Sequence, residues 1–189
     1  MTGLRLRSRL QRRRLKARLQ RIQLLVCDVD GVLTDGGLHY DEDGRVVKRF
    51  DVRDGLAVRM LQRAGITVAL LSGGRSGAIE QRARHLDIQH CLVGVGDKRA
   101  GLAGLQQQLQ MPASATAFIG DDLNDLTVRP ITNLLVAPAD AANGLRRQAD
   151  WILSCRGGNG ALRELAEALL ASQGHLDPLQ RHGWREGNA

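Results

Sequence analysis

The sequence predicts an α/β fold: one domain built on a doubly wound, mostly parallel sheet. Three observations carry this. Apolar runs of strand length alternate with segments of helical period. The length of 189 residues suits a single core. Polar and charged residues collect just after successive apolar runs, where open parallel sheets hold their ligands.

In order, "IQLLVC" at 22–27 reads as the first buried strand, followed by "ITVALL" at 66–71, "HCLV" at 90–93, "ATAFI" at 115–119 and "LLV" at 134–136. Helical period falls at 54–64, 75–86, 98–109 and 161–171. Residues 36–50, "GGLHYDEDGRVVKRF", break the alternation: two strand-like runs flank an Asp-Gly turn and predict a β-hairpin. The tail from Gly174 is polar and reads as irregular. No repeat or low-complexity linker appears, so the organisation is a basic arm at 1–21, one domain at 22–173 and a tail at 174–189.

Composition narrows the class. The apolar fraction is 43% but aromatics are 3%, so Leu, Val, Ile and Ala must form the core. No run is long enough for a membrane span, and the basic start lacks the apolar stretch of a signal peptide. Three scattered cysteines form no metal-binding spacing and suit a reducing cytoplasm. The net charge of +7 is local: residues 1–21 hold nine bases and no acid, and the rest has 18 bases against 20 acids. The arm reads as a solvated, partly helical leader. Contact with nucleic acid or an anionic membrane is the rival reading; no aromatic interleaves the bases to stack on nucleobases.

Four strand ends face one crevice in this fold. They read "DVDGVLTDG" from Asp28, "SGGRS" from Ser72, "GVGDKRAG" around Lys98 and "GDDLND" from Gly120. Asp28 and Asp30 lie on the same side of an extended chain. One can attack an electrophile while the other handles protons. Asp121, Asp122 and Asp125 add charge that needs a cation, and hard oxygen ligands suit Mg²⁺. Ser72, the amides of Gly73 and Gly31, and Lys98 can hold an anion's oxygens. Each piece alone has an ordinary structural reading: an Asp-Gly turn, a helix cap, a loop, a surface lysine. In order, each at a strand end, they specify phosphoryl transfer.

These residues resemble the motifs of the haloacid dehalogenase superfamily of phosphatases. The stretches "CDVDGVLTDG", "FDVRDGLAVRMLQRAGI", "IGDDLND" and "GGNGALRELAEALLASQGHLD" are similar to the 3-deoxy-D-manno-octulosonate 8-phosphate phosphatase family, over about residues 22–178. The resemblance implies a phosphoric monoester hydrolase of surface-polysaccharide synthesis. It implies Asp28 as nucleophile, through an aspartyl-phosphate, and Asp30 as general acid and then base. Mg²⁺ would lie on Asp28, Asp121 and the carbonyl of Asp30. Asp122, Asn124 and Asp125 would support that shell, and Ser72, Gly73 and Lys98 would hold the phosphoryl group. No stretch has room for a cap domain. The resemblance therefore implies a homotetramer, with 37–50 assembling as hairpins and 157–160 reaching a neighbour's site.

The sequence departs from that family in two places. The usual Thr-Gly-Arg is Ser72-Gly73-Gly74-Arg75, and the usual Gly-Gly-Arg-Gly is Gly157-Gly158-Asn159-Gly160. Both touch substrate choice rather than chemistry. Arg53 and Arg75 remain as substrate-contacting bases, Arg53 with an ion pair to Asp51 or Asp54 as its ordinary reading. The rival substrate is a sialic-acid-type nine-carbon sugar 9-phosphate. The rival class is a binding protein that kept the fold and lost turnover.

Overall fold

A computed structural model describes residues 9–74 and 77–184. The chain opens with helix α1 (Arg9–Leu19) and strand β1 (Leu24–Cys27), then the hairpin strands β2 (His39–Tyr40) and β3 (Val46–Val47). Helix α2 (Val52–Arg63), β4 (Thr67–Leu71), α3 (Gly77–His85), β5 (His90–Leu92) and α4 (Lys98–Leu109) follow. The second half holds β6 (Thr116–Ile119), a 3-10 helix (Leu123–Ile131), β7 (Leu134–Ala137), α5 (Asn143–Gln148), β8 (Trp151–Ile152), α6 (Ala161–Gln173) and α7 (Leu176–His182). The main sheet runs β5-β4-β1-β6-β7-β8, every pair parallel. The doubly wound architecture is the one expected.

The core explains the strands. Leu25 and Cys27 of β1 pack on one face with Val68, Leu70, Ala117 and Ile119. Leu24 and Val26 pack on the other with Ala69, Leu71 and Phe118. Alternate side chains thus serve two apolar layers, and the strands read as continuous apolar runs. Helices α2, α3 and α6 cover the first face; α4, the 3-10 helix and α5 cover the second. Helix α6 buries Ala161, Leu162, Leu165, Ala166, Leu169 and Leu170, one stripe at helical spacing. Between β1 and β4 stand only the hairpin and α2; between β4 and α4, only α3 and β5. No cap domain is present among the described residues.

Three expectations change. The stretch 9–21 is not simply a solvated leader: Leu19 and Ile22 are buried, and Arg18 donates to both carboxylate oxygens of Asp150 at 2.9 and 2.8 Å. Arg12, Arg13, Arg14 and Lys16 stay exposed, and residues 1–8 lie outside the described residues. The tail is not irregular through 182. Leu176, Leu179 and Trp184 pack against the core, and Pro178 sits in the first turn of α7, where its missing N–H costs nothing. Helix α2 starts at Val52 because the Asp51 carboxylate caps it, accepting from the Arg53 N–H at 2.7 Å.

Candidate active site

Strands β1, β4 and β6 end side by side, and their loops build the site. After β1 the chain turns at Asp28, which is 5% exposed. Its Oδ1 accepts from the Val29 N–H at 2.7 Å, and its Oδ2 meets Lys98 Nζ at 2.7 Å. Lys98, first residue of α4, also reaches Asp125 Oδ1 at 2.6 Å. Asp125 is fully buried, and its other oxygen accepts the N–H groups of Asp121 and Asp122 at 2.9 and 3.2 Å. Asp125 therefore holds Lys98 and the Asp121 loop in place. Asp122 caps the 3-10 helix, accepting from the Leu123 N–H at 2.7 Å; Asn124 is exposed on its first turn. The helix-cap reading of "GDDLND" is thus realised, in the same loop that carries Asp121.

Oxygen ligands for a divalent ion converge here. Carboxylate oxygens of Asp28, Asp121 and Asp125 lie within 4.8 Å of one another. Those of Asp125 are already engaged. Among the described residues nothing donates to the Asp121 carboxylate or to the backbone carbonyl of Asp30. Gly31, at φ +81°, leaves room for Asp121: a Cβ there would fall 2.0 Å from Asp121 Oδ2. Burial and then the charges of Asp28, Asp125 and Asp122 push the Asp121 carboxyl up to about 8. Asp28 rises to about 6, from burial and then Asp125, with Lys98 opposing. Burial disfavours the Lys98 charge, but Asp28 and Asp125 outweigh it and its pKa is raised. Carboxylates held at such cost, with that of Asp121 left without a donor among the described residues, fit Mg²⁺.

Asp30 lies on the rim of this cluster. Lys48, from the hairpin, makes an ion pair with its Oδ1, and Thr34 Oγ1 stands 3.5 Å away. Lys48 carried no signal in the sequence beyond its place after an apolar strand. Ser72, 1% exposed, accepts from the Gly74 N–H at 3.1 Å; a Cβ on Gly74 would fall 3.1 Å from Asp30 Oδ2. The Gly74 backbone thus passes close beside Asp30, while a Cβ on Gly73 would fall 3.7 Å from the Val95 carbonyl oxygen. A cavity of about 410 Å³ opens over these groups, lined by Asp28, Asp30, Asp121, Asp122, Leu123 and Asn124. A larger one of about 730 Å³ lies between α2 and α7 and carries none of this chemistry.

The neighbouring stretches have structural reasons. Asp54 of α2 accepts the N–H groups of Gly160 and Arg163 at 3.3 and 2.9 Å, capping α6. Burial raises its pKa. Arg53 donates to Asp51 Oδ2 at 2.8 Å and to Asn159 Oδ1 at 2.7 Å. The segment 157–160 lies against the Gly31–Asp35 loop. A Cβ at Gly157 would fall 1.9 Å from the Gly31 carbonyl oxygen, and one at Gly158 2.4 Å from the Asp35 nitrogen. Glycine alone permits that approach. Arg75 lies outside the described residues.

A capless parallel sheet with carboxylates at the ends of β1 and β6, a serine after β4 and a lysine opening α4 defines a hydrolase of the haloacid dehalogenase superfamily. No family model matches the chain. It is 41% identical over 160 residues to 3-deoxy-D-manno-octulosonate 8-phosphate phosphatase KdsC of Haemophilus influenzae, covering 85% of this chain and 89% of that protein. Identity to KdsC of Escherichia coli is 38% over 161 residues, 85% and 86% of the two chains. A probable YrbI family phosphatase from Pseudomonas syringae superposes at TM-score 0.88 and 39% identity, over 93% of this chain and 99% of that one. The 3-deoxy-D-manno-octulosonate 8-phosphate phosphatase of Moraxella catarrhalis, solved with magnesium ion, phosphate ion and KDO, superposes at 0.86 and 34% identity, over 89% and 97%. The chain belongs to the 3-deoxy-D-manno-octulosonate 8-phosphate phosphatase family.

Proposed function

We propose that this chain is a Mg²⁺-dependent phosphatase that converts 3-deoxy-D-manno-octulosonate 8-phosphate to the free sugar acid and phosphate. The carrying observation is the convergence of Asp28, Asp30, Asp121 and Lys98 at one crevice in a chain 41% identical to such an enzyme. Oxygens of Asp28 and Asp121 and the Asp30 carbonyl would hold the ion, which when bound offsets charge on the phosphoryl oxygens. Asp28 attacks phosphorus as the bond to the sugar oxygen breaks, giving an aspartyl-phosphate. Asp30 gives its proton to the departing oxygen. It then takes a proton from the water that attacks phosphorus and releases phosphate from Asp28. Lys98, Ser72 and the Gly73 amide hold the phosphoryl oxygens throughout; Asp122, Asn124 and Asp125 keep the β6 loop in shape.

Phosphate release from this sugar phosphate, from a nine-carbon sugar 9-phosphate and from p-nitrophenyl phosphate, with and without Mg²⁺, tests the reading. Mg²⁺-dependent release fastest from the octulosonate, abolished by Asp28→Asn, is expected. Preference for the nine-carbon sugar moves the chain to the rival substrate; release from none supports a silent binding protein.

The assembly that fits is a homotetramer joined through the hairpin. Leu38, Tyr40, Val47 and Val52 expose apolar side chains around it, 48%, 66%, 57% and 80% accessible, in a site without a cap. A monomeric mass for the active form in solution would sink this. The cytoplasm is the compartment proposed, since Cys27, Cys91 and Cys155 are all unpaired and no described helix is long and apolar enough to cross a membrane.

A further inference from the structure

The site's two lysines are unlike. Lys98 sits on the floor, locked between Asp28 and Asp125. Lys48 comes from above, on a hairpin of two two-residue strands whose Tyr40 and Val47 are exposed. Yet the Lys48 side chain is only 3% exposed, against 34% for its partner Asp30. A lysine gives up hydration and rotamer freedom to be covered so fully. Anchoring the hairpin does not require it: the next residue, Arg49, already ties it to the body, donating to the Gly158 carbonyl at 3.1 Å. What Lys48 alone does is fix Asp30. Besides Lys48, only Thr34 Oγ1, at a long 3.5 Å, meets that carboxylate among the described residues, and on the same oxygen. The other oxygen, Oδ2, faces the Ser72–Gly74 loop.

We propose that Lys48 is a positioning residue for the phosphatase reaction: its ammonium grips Oδ1 of Asp30 and leaves Oδ2 as the oxygen that passes the proton. The inference rests on the function proposed above. Aim matters most when the departing oxygen needs a proton. A sugar alkoxide does; p-nitrophenolate leaves without one. The value kcat/KM reports the step that expels this group, so the two substrates separate aim from general damage.

The test is kcat/KM for Lys48→Met on both phosphates, with Mg²⁺ and the full chain. A loss of about 10- to 100-fold on the sugar phosphate and under about threefold on p-nitrophenyl phosphate is expected. Lys48→Arg restores most of it, and Arg49→Ala, which loosens the hairpin without touching Asp30, leaves the ratio of the two substrates unchanged. Should the Met variant not fold, Lys48→Gln is read by the same ratio. Equal losses on both substrates, no loss, or the same skewed ratio in Arg49→Ala overturns the inference while the phosphatase reading stands. A wild-type protein that turns over neither phosphate overturns both.

Discussion

Arg53 donates a hydrogen bond of 2.7 Å to the side-chain oxygen of Asn159. The pair joins the start of α2 to the glycine segment that presses on Thr34 and Asp35, beside the site. Asn159 stands where the family resemblance implies arginine, and here it tethers a guanidinium rather than supplying one. Replacing it by arginine releases Arg53 from that tether and adds a second positive group near an anionic substrate. Asn159→Arg is expected to lower KM for the sugar phosphate about two- to fivefold at low ionic strength, the gain fading with salt. A KM that does not move, or moves without salt dependence, would count against a substrate role for this corner.

Lys98 is the sole described cation touching both Asp28 and Asp125. Lys98→Met leaves two buried carboxylates without their counter-charge. Stability measured by urea denaturation is expected to fall by about 3–5 kcal/mol. Phosphate release should fall at least about 100-fold. A variant of unchanged stability would mean that the carboxylates are neutralised by something else.

The raised carboxyls set the pH response of the metal-free protein. Asp121 titrates near 8 and Asp28 near 6 in the folded chain, against 3.8 for the unexceptional side chain. Between those values the folded state binds more protons than the unfolded one, so stability falls as pH rises from about 4 to about 8. A cation at the site removes this penalty. Thermal melts should therefore show a Mg²⁺-induced gain that widens over the same window. It should reach about 5–10 °C at pH 8 when the ion exceeds its Kd a hundredfold. A gain that is flat across this range would exclude Asp121 as a ligand.

Two glycines are constrained for different reasons and should fail differently. Gly157→Ala puts a Cβ 1.9 Å from a backbone oxygen, which must move, and is expected to cost about 1–3 kcal/mol of stability. Gly74→Ala puts one 3.1 Å from Asp30 Oδ2, a side-chain atom that can give way. It should leave the melting temperature within about 2 °C while slowing turnover of the sugar phosphate roughly tenfold. Measuring both quantities on both variants checks the contrast; matching patterns would refute it.

The parts of the fold and site that the sequence displayed share a cause. Leu24 to Cys27 are apolar without a break because both sheet faces are covered, and Asp28 stands out where the strand stops. Helix α4 kept its expected limits because Asp97 caps it, accepting from the Ala100 N–H at 3.0 Å. The missed elements have weak local signals. Strand β8 is two residues long and formed by pairing with Val136 and Ala137. The 3-10 helix contains Pro130 and turns on the Asp122–Asp125 capping box. Long-range partners hid as well: nothing near Lys48 in the chain points to Asp30, and nothing near Arg18 points to Asp150. Asp28, Asp121 and Lys98 each follow a different strand in the sequence; that Lys98 meets Asp28 and that an Asp121 carboxylate oxygen lies within 4.8 Å of one on Asp28 is a property of the sheet order.

The close approach of 157–158 to Gly31 and Asp35 also sets a schedule. The Gly31–Asp35 loop is made before the surface that seats it, which comes more than a hundred residues later, as do the Gly160 and Arg163 amides that Asp54 receives. At about 5–20 residues per second on the ribosome, that loop waits several seconds or longer for its support. The nascent chain thus carries Asp28 long before its loop is seated, and the site is braced only once 157–163 has been made, so a chain stopped before α6 should emerge without phosphatase activity.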